Sequence, residues 1–275
     1  MKKIVIPFEG DNYPAELLDF ISTLHEVAPV QLIAAFIPEI DYSQLWSITG
    51  SIASPVLMPQ PTETDEDVAI ATHSVRVEAF CRTHAIPFHI HSDRLDFALP
   101  SLRKEARFAD LMVLSSSHFF DKIDTIQPNT YMKEILHTAE CPLLVIPGSA
   151  SLPKNNILAY DGSAASLHAI KQFIYLFPEL APIPTALVHL HEKPSSAIPD
   201  RELIEELAST HFSDFRILDI GLSPDEFFNT WLLAQENPWL ICGSYGRSEL
   251  SRLFSASFVS GLIRQHKIPL FIAHP

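Results

Sequence analysis

Two glycines, Gly243 and Gly246, follow the short apolar run Trp239-Leu240-Ile241-Cys242. A run of that kind, ending in glycine, suits a strand buried on both faces of a parallel sheet. Glycine lets backbone N–H groups approach a ligand closely and tolerates positive φ. Nine residues, Arg247 to Ser255, then separate Gly246 from Ala256, and Ser255-Ala256-Ser257 opens an amphipathic helix with Phe254, Phe258 and Leu262 four apart. Strand, glycine loop and serine-rich helix start together make an anion cradle of free N–H groups and a positive helix end. Arg247 is a candidate phosphate contact beside it. Two glycines alone can equally serve only to turn the chain from strand to helix.

The elements that must position this cradle alternate along the chain. Strands are expected at Lys3–Phe8, Val30–Ile37, Phe88–His91, Leu111–Ser115 and Pro142–Ile146. Between them, helical periodicity covers Pro14–Val27 (Leu17, Leu18, Ile21 and Leu24 on one side), Asp65–His84, Asp96–Arg107 and Thr130–Thr138. Residues 38–64, with Pro38, Pro55, Pro59 and Pro61, read as an inserted loop holding a short helix near Leu45–Ile48. The alternation then restarts. Strands follow at Asn155–Tyr160, Thr185–Leu190, Phe215–Ile220, Trp239–Cys242 and Ile268–Ile272, with helices at Ser166–Phe177, Pro199–Thr210, Pro224–Gln235 and from Ser255. Such alternation implies right-handed parallel βαβ units.

This is an internal repeat with a Gly-, Ser- and Pro-rich linker at Gly148–Lys154. The halves align without gaps from the fourth strand on: Ser116 falls on Gly243, Phe119 on Gly246, Asn129 on Ala256, Thr130 on Ser257 and Cys141-Pro142 on Ile268-Pro269. At the start, Phe8-Glu9-Gly10 falls on Tyr160-Asp161-Gly162.

The C-terminal stretch resembles the signature of the universal stress protein family: a strand, G-x2-G, nine residues, G-[ST], a helix and a Pro-led last strand. It departs at Ala256, where nucleotide-binding members have glycine. The opening of the second half, NNILAYDGSAASLHAI, is similar to that family's first strand and helix, which meet at V-D-x-S. The resemblance covers the whole chain and implies an α/β fold of two tandem, doubly wound, five-stranded parallel-sheet domains of Rossmann-like type, packed as a pseudo-dimer. The domains are expected at 1–148 and 154–275, with the Pro-led edge strands of the two halves meeting across a pseudo-twofold axis.

The resemblance also implies a stress-response or signalling protein that binds ATP or a related adenine nucleotide in its second half. Asp161 would bond the adenosine portion, Leu190 would contact adenine, Gly243 and Gly246 would cradle phosphates, and Ser257 would donate its hydroxyl. Asp161 has a second reading, as N-cap of the following helix. A β-carbon at Ala256 either forces the phosphate away or is tolerated with its methyl turned aside. The alternative function is a non-nucleotide interaction scaffold on the same fold, with the site lost. In the first half Glu9 replaces the aspartate, and Phe119 places a ring where backbone must approach phosphate. That half is expected to bind no ATP and to pack against its neighbour.

Other functions find less in the residues. No catalytic base or arginine finger can be assigned for an ATPase, so no enzyme is expected. A net charge of −14 opposes nucleic acid and anionic membrane as partners. No apolar run approaches the ~20 residues of a membrane span. Three widely spaced cysteines, Cys81, Cys141 and Cys242, fit a reducing cytoplasm better than a disulfide framework. His89-x-His91 and His189-x-His191 have spacing permissive for zinc, yet no metal is expected beyond magnesium accompanying the nucleotide. The partner is expected to be a protein the sequence does not identify, and further homodimerisation is left open.

Overall fold

Five strands open the chain: β1 (Lys2–Glu9), β2 (Val30–Ile37), β3 (Phe88–Ser92), β4 (Leu111–Ser115) and β5 (Leu143–Ile146). Helices α1 (Ala15–Val27), α2 (Asp65–Thr83), α3 (Ala98–Arg107) and α4 (Thr130–Thr138) connect them. The same order recurs as β6 (Asn155–Ala159), α5 (Ala164–Leu176), β7 (Thr185–Leu190), α6 (Arg201–His211), β8 (Phe215–Ile220), α7 (Pro224–Leu233), β9 (Pro238–Cys242), α8 (Ala256–Gln265) and β10 (Leu270–Ile272). A 3-10 turn at Pro178–Leu180, unforeseen in the sequence, follows α5. This computed structural model describes residues 1–9, 12–37, 65–92, 98–119, 128–148, 150–190, 197–220, 224–243, 256–265 and 267–275, the side chains of 65–67, 190, 224–227 and 256–258 excepted. The inserted loop expected at 38–64 lies outside the described residues.

The strands form one ten-stranded sheet in the order β3-β2-β1-β4-β5-β10-β9-β6-β7-β8. Pairing is parallel within each set of five. The sets join antiparallel, Leu270 opposite Val145, Phe271 opposite Leu144 and Ile272 opposite Leu143. The two Pro-led strands therefore cover one another's edges, and the two expected sheets are one.

Burial on both faces explains the near-continuous apolar strands. Side chains alternate across the sheet: Ile4, Ile6 and Phe8 enter one core while Val5 enters the other. The first core lies under α1, α2, α5 and α6, and the second under α3, α4, α7 and α8. Trp239 ties the halves together. It is fully buried, 5.9 Å ring to ring from Phe20 of the first half and from Phe177 of its own, and its indole N–H donates to the Ser151 carbonyl at 3.2 Å.

Strand register corrects the sequence alignment of the halves by one residue. Met112 pairs with Leu143 in the first half, and Leu240 with Leu270 in the second. The pseudo-twofold maps Leu143 onto Leu270, because Leu144 and Phe271 face each other. Met112 thus matches Leu240, and Ser115, not Ser116, stands where the second half has Gly243. The backbone agrees: Met112 N–H bonds the Pro142 carbonyl and Leu240 N–H the Pro269 carbonyl. One extra residue lies between the ends of β4 and β5, and the gap-free match fails there.

Candidate functional site

In the second half, the chain runs from β6 through α5 to β7 on one side, while β9 lies on the other. The carboxyl ends of β6 and β9 therefore flank a topological switch point, the place where open α/β sheets bind ligands. Asp161 follows β6, and Gly243 follows β9. A β-carbon on Gly243 would lie 2.7 Å from the Ala165 carbonyl carbon and the Ser166 nitrogen. Glycine here lets the first turn of α5 come down onto the strand end, a packing reason for the residue that stands beside any role toward a ligand.

The turn itself is built from short polar side chains. Gly162 sits at φ +80°, and a β-carbon there would meet the Pro199 ring at 2.5 Å. The Asp161 carboxylate accepts from Ser163 N–H at 2.9 Å, an Asx turn. Ser163 is the N-cap of α5, its hydroxyl accepting from Ser166 N–H at 3.1 Å. Capping thus falls to Ser163, two residues beyond the position the sequence offered for it. The Tyr160 hydroxyl donates to the Pro199 carbonyl at 3.1 Å, pinning the entry to α6 over the turn. Burial, then Asp200 and Asp161, push that phenol above its ordinary pKa. His189 is buried, with its Nδ1 3.0 Å from the Tyr160 carbonyl, which fixes the proton on Nδ1.

Of the other site residues, Leu190 ends β7 at the same rim of the sheet. Ala256 and Ser257 open α8. Gly246 and Arg247 lie outside the described residues, as do the side chains of Leu190, Ala256 and Ser257.

The matching crevice of the first half is lined by Glu9, Asn12, Ser115, His118 and Phe119 among others. Its cavity volume is about 10 Å³, room for about one water molecule and far below the ~300–1,000 Å³ usual for small-molecule sites. Phe119 is among the residues that line it. That ring is 2% exposed and belongs to the second core. The groups that close the cradle are smaller. The Ser115 hydroxyl accepts from the N–H groups of Ser117 at 3.3 Å and His118 at 3.2 Å. Asn129, fully buried, caps α4 by accepting from Met132 N–H at 2.9 Å, and its amide donates to the Phe119 carbonyl at 2.6 Å. Loop N–H groups and helix start, the two components of an anion cradle, are engaged by the chain itself. Asn129 directly before Thr130 was a legible N-cap signal, and the sequence reading passed over it.

No protein-family model matches the sequence, and no curated protein matches it. Solved structures do. A universal stress protein from Archaeoglobus fulgidus superposes with a TM-score of 0.67 at 12% identity, over 99% of this chain and 96% of that one. This is the universal stress protein fold. A further protein assigned to that family, from Pseudomonas aeruginosa, gives a TM-score of 0.56 at 11% identity, over 100% and 94% of the two chains. A protein of unknown function from Pseudomonas aeruginosa gives 0.52 at 10% identity, over 100% and 93%.

On this universal stress fold the remaining reactive side chains are accounted for locally. His91 places Nδ1 2.9 Å from both carboxylate oxygens of Glu105, while His89 on the same strand is exposed. His191 lies outside the described residues. No cluster of three or more potential metal ligands occurs among the described residues. All three cysteines are free and buried, and burial pushes Cys141 and Cys242 up to about 12, far from the thiolate a nucleophile needs. Among the described residues, no helix is long and apolar enough to cross a membrane.

Proposed function

We propose that the second half binds ATP or a related adenine nucleotide at the switch point between β6 and β9, and that occupancy rather than turnover is the output. The observation that carries this reading is the difference between the two crevices. The first fills its loop N–H groups and helix start with Ser115 and Asn129. At the strand end, where the first has Ser115, the second has Gly243, which has no hydroxyl.

In this reading Asp161 takes the ribose hydroxyls, held in place by its bond from Ser163 N–H. Leu190 lies against the base. Gly243 and Gly246 present backbone to the phosphates, Arg247 adds charge, and Ser257 donates from the first turn of α8. Magnesium enters only with the nucleotide. This reading assigns no catalytic base, and the role it gives the chain is that of a stress-response or signalling protein read by a protein partner. Free, buried cysteines support a reducing, cytoplasmic setting.

Isothermal titration with ATP tests the reading. One site per chain is expected. Asp161→Ala should weaken binding by about 1.5–3 kcal/mol, the worth of a hydrogen bond to a charged group. Ala256→Gly should tighten it if the methyl crowds a phosphate, by about 1–3 kcal/mol. Two sites per chain would overturn the asymmetry, and no heat from either wild type or Ala256→Gly would leave the scaffold reading.

A further inference from the structure

The nucleotide reading makes no use of His89-x-His91 on β3. That strand ends the sheet, with β2 as its neighbour. Phe88 and Ile90 pack against the first core, so His89 and His91 stand on the opposite face. Their register partners on β2, Ile33 and Ala35, belong to the second core and share that face. Same-face neighbours on a strand lie ~6.6 Å apart. Two imidazoles leaning toward one ion bridge that distance, each zinc–nitrogen bond being ~2.0–2.1 Å.

The half-buried His91 is held from behind. Its Nδ1 lies 2.9 Å from both carboxylate oxygens of Glu105 on α3. A carboxylate only accepts, so Nδ1 carries the proton and the lone pair of the neutral ring is on Nε2. A carboxylate placed in this way is the usual support of a histidine–zinc bond: it fixes the tautomer and makes the outer nitrogen more basic. Among the described residues, Nε2 of His91 has no hydrogen-bond partner, and the exposed His89 has no hydrogen bond or ion pair. The matching spacing on β7 is set differently. That strand runs inside the sheet, between β6 and β8, and His189 is buried with Nδ1 on the Tyr160 carbonyl.

We infer that β3 carries a zinc site. His89 and His91 are its protein ligands, His91 binds through Nε2 with Glu105 behind it, and water fills the other positions. Nitrogen ligands select zinc over magnesium or calcium, which take oxygen. Lys104 lines the small cavity beside His91 together with Glu105. The two charges offset one another, so the attraction comes from imidazole lone pairs and not from a net negative surface. Structural zinc sites have four protein ligands. Two leave the ion exchangeable, so this site takes up and releases zinc without holding the fold together.

Titration of zinc chloride into the full chain without nucleotide tests this, followed by calorimetry and by NMR of the nitrogen-labelled imidazole rings. In wild type, zinc should shift the Nε2 resonance of His91 and the ring resonances of His89 together, saturating at one ion, while Nδ1 of His91 stays protonated. Magnesium should shift neither. His89→Ala and His91→Ala lie outside the core and should each abolish the shift at the remaining ring, with the urea midpoint of the zinc-free chain unchanged for His89→Ala. Glu105→Gln should weaken zinc binding ~10–100-fold. His84→Ala, at an exposed histidine just beyond α2, should leave it as in wild type. Wild type without a zinc-dependent shift at His89 and His91 would overturn the inference, as would zinc binding indifferent to both alanine variants. Wild-type affinity in Glu105→Gln would overturn the role given to that carboxylate.

Discussion

The two halves share a topology but treat the same crevice in opposite ways. In the first, Ser115 at the end of β4 and Asn129 at the head of α4 engage the backbone groups that would hold an anion. In the second, Gly243 stands at the place of Ser115 and offers no hydroxyl, while the neighbouring helix α5 is capped by Ser163. A βαβ scaffold therefore does not require a ligand at its switch point. It requires that the N–H groups there be met, and a hydroxyl and an amide in the right places suffice.

Four experiments break or sharpen that comparison. The largest effect should come from Trp239, the residue that both halves pack against. Trp239→Ala should cost about 3–5 kcal/mol, measured by urea unfolding. A single transition is expected, because the loss is felt by Phe20 and Phe177 together; two separated transitions would mean the halves are independent folding units.

Next comes an exchange of strand-end residues. Gly243→Ser introduces a β-carbon 2.7 Å from the backbone of Ala165 and Ser166, and should destabilise by about 1–3 kcal/mol through overpacking while lowering nucleotide affinity. Ser115→Gly should create no second site, because Asn129 still caps α4. Calorimetric stoichiometry above one for Ser115→Gly would break the comparison.

The third exchange concerns helix starts. Asn129→Ala removes the cap and should cost about 1–2 kcal/mol, seen as a lower urea midpoint. Ala256→Asn puts a larger polar side chain into the first turn of α8 and should weaken ATP binding in titration while leaving the fold intact.

The smallest effect is a difference in acid sensitivity. Burial, then the Arg76 guanidinium, hold His73 below its ordinary pKa. Between its folded pKa and the unfolded value of ~6.5, the unfolded chain binds more protons than the folded one. Stability is therefore intact above that window and falls as pH drops through it. His73 is buried 5.4 Å ring to ring from Tyr13, beside the first crevice. His73→Phe should flatten part of the fall in the unfolding midpoint as pH drops below the unfolded value of ~6.5.

Periodicity and turn chemistry carried most of the fold. The spans Val30–Ile37, Leu111–Ser115, Thr130–Thr138, Thr185–Leu190 and Phe215–Ile220 are read from the sequence to the residue. They are apolar or alternating runs bounded by breakers, or a helix with a polar start, where local preference and tertiary packing agree. The family resemblance implied the seam between β5 and β10. The candidate site was less legible. A one-residue offset in a loop between two matching segments leaves no mark on either segment, so Ser116 was set against Gly243 where the sheet sets Ser115. The direction of the Phe119 ring depends on the core beneath it, which no local pattern specifies. The Asp161 bond to Ser163 N–H and the cap by Ser163 share one short motif, and only the backbone at Gly162 tells them apart.

The antiparallel seam between β5 and β10 has a consequence for mass action. Two separate chains meeting through such strands would part on dilution, and their contact would be set by concentration. Here both strands belong to one polypeptide, and the short connection from Ile146 to Asn155 makes their meeting intramolecular, at an effective concentration no cell could match with free chains. A symmetric assembly of identical chains must accept every substitution twice. This chain accepts each substitution once, so one half could fill its crevice with Ser115 and Asn129 without altering its neighbour.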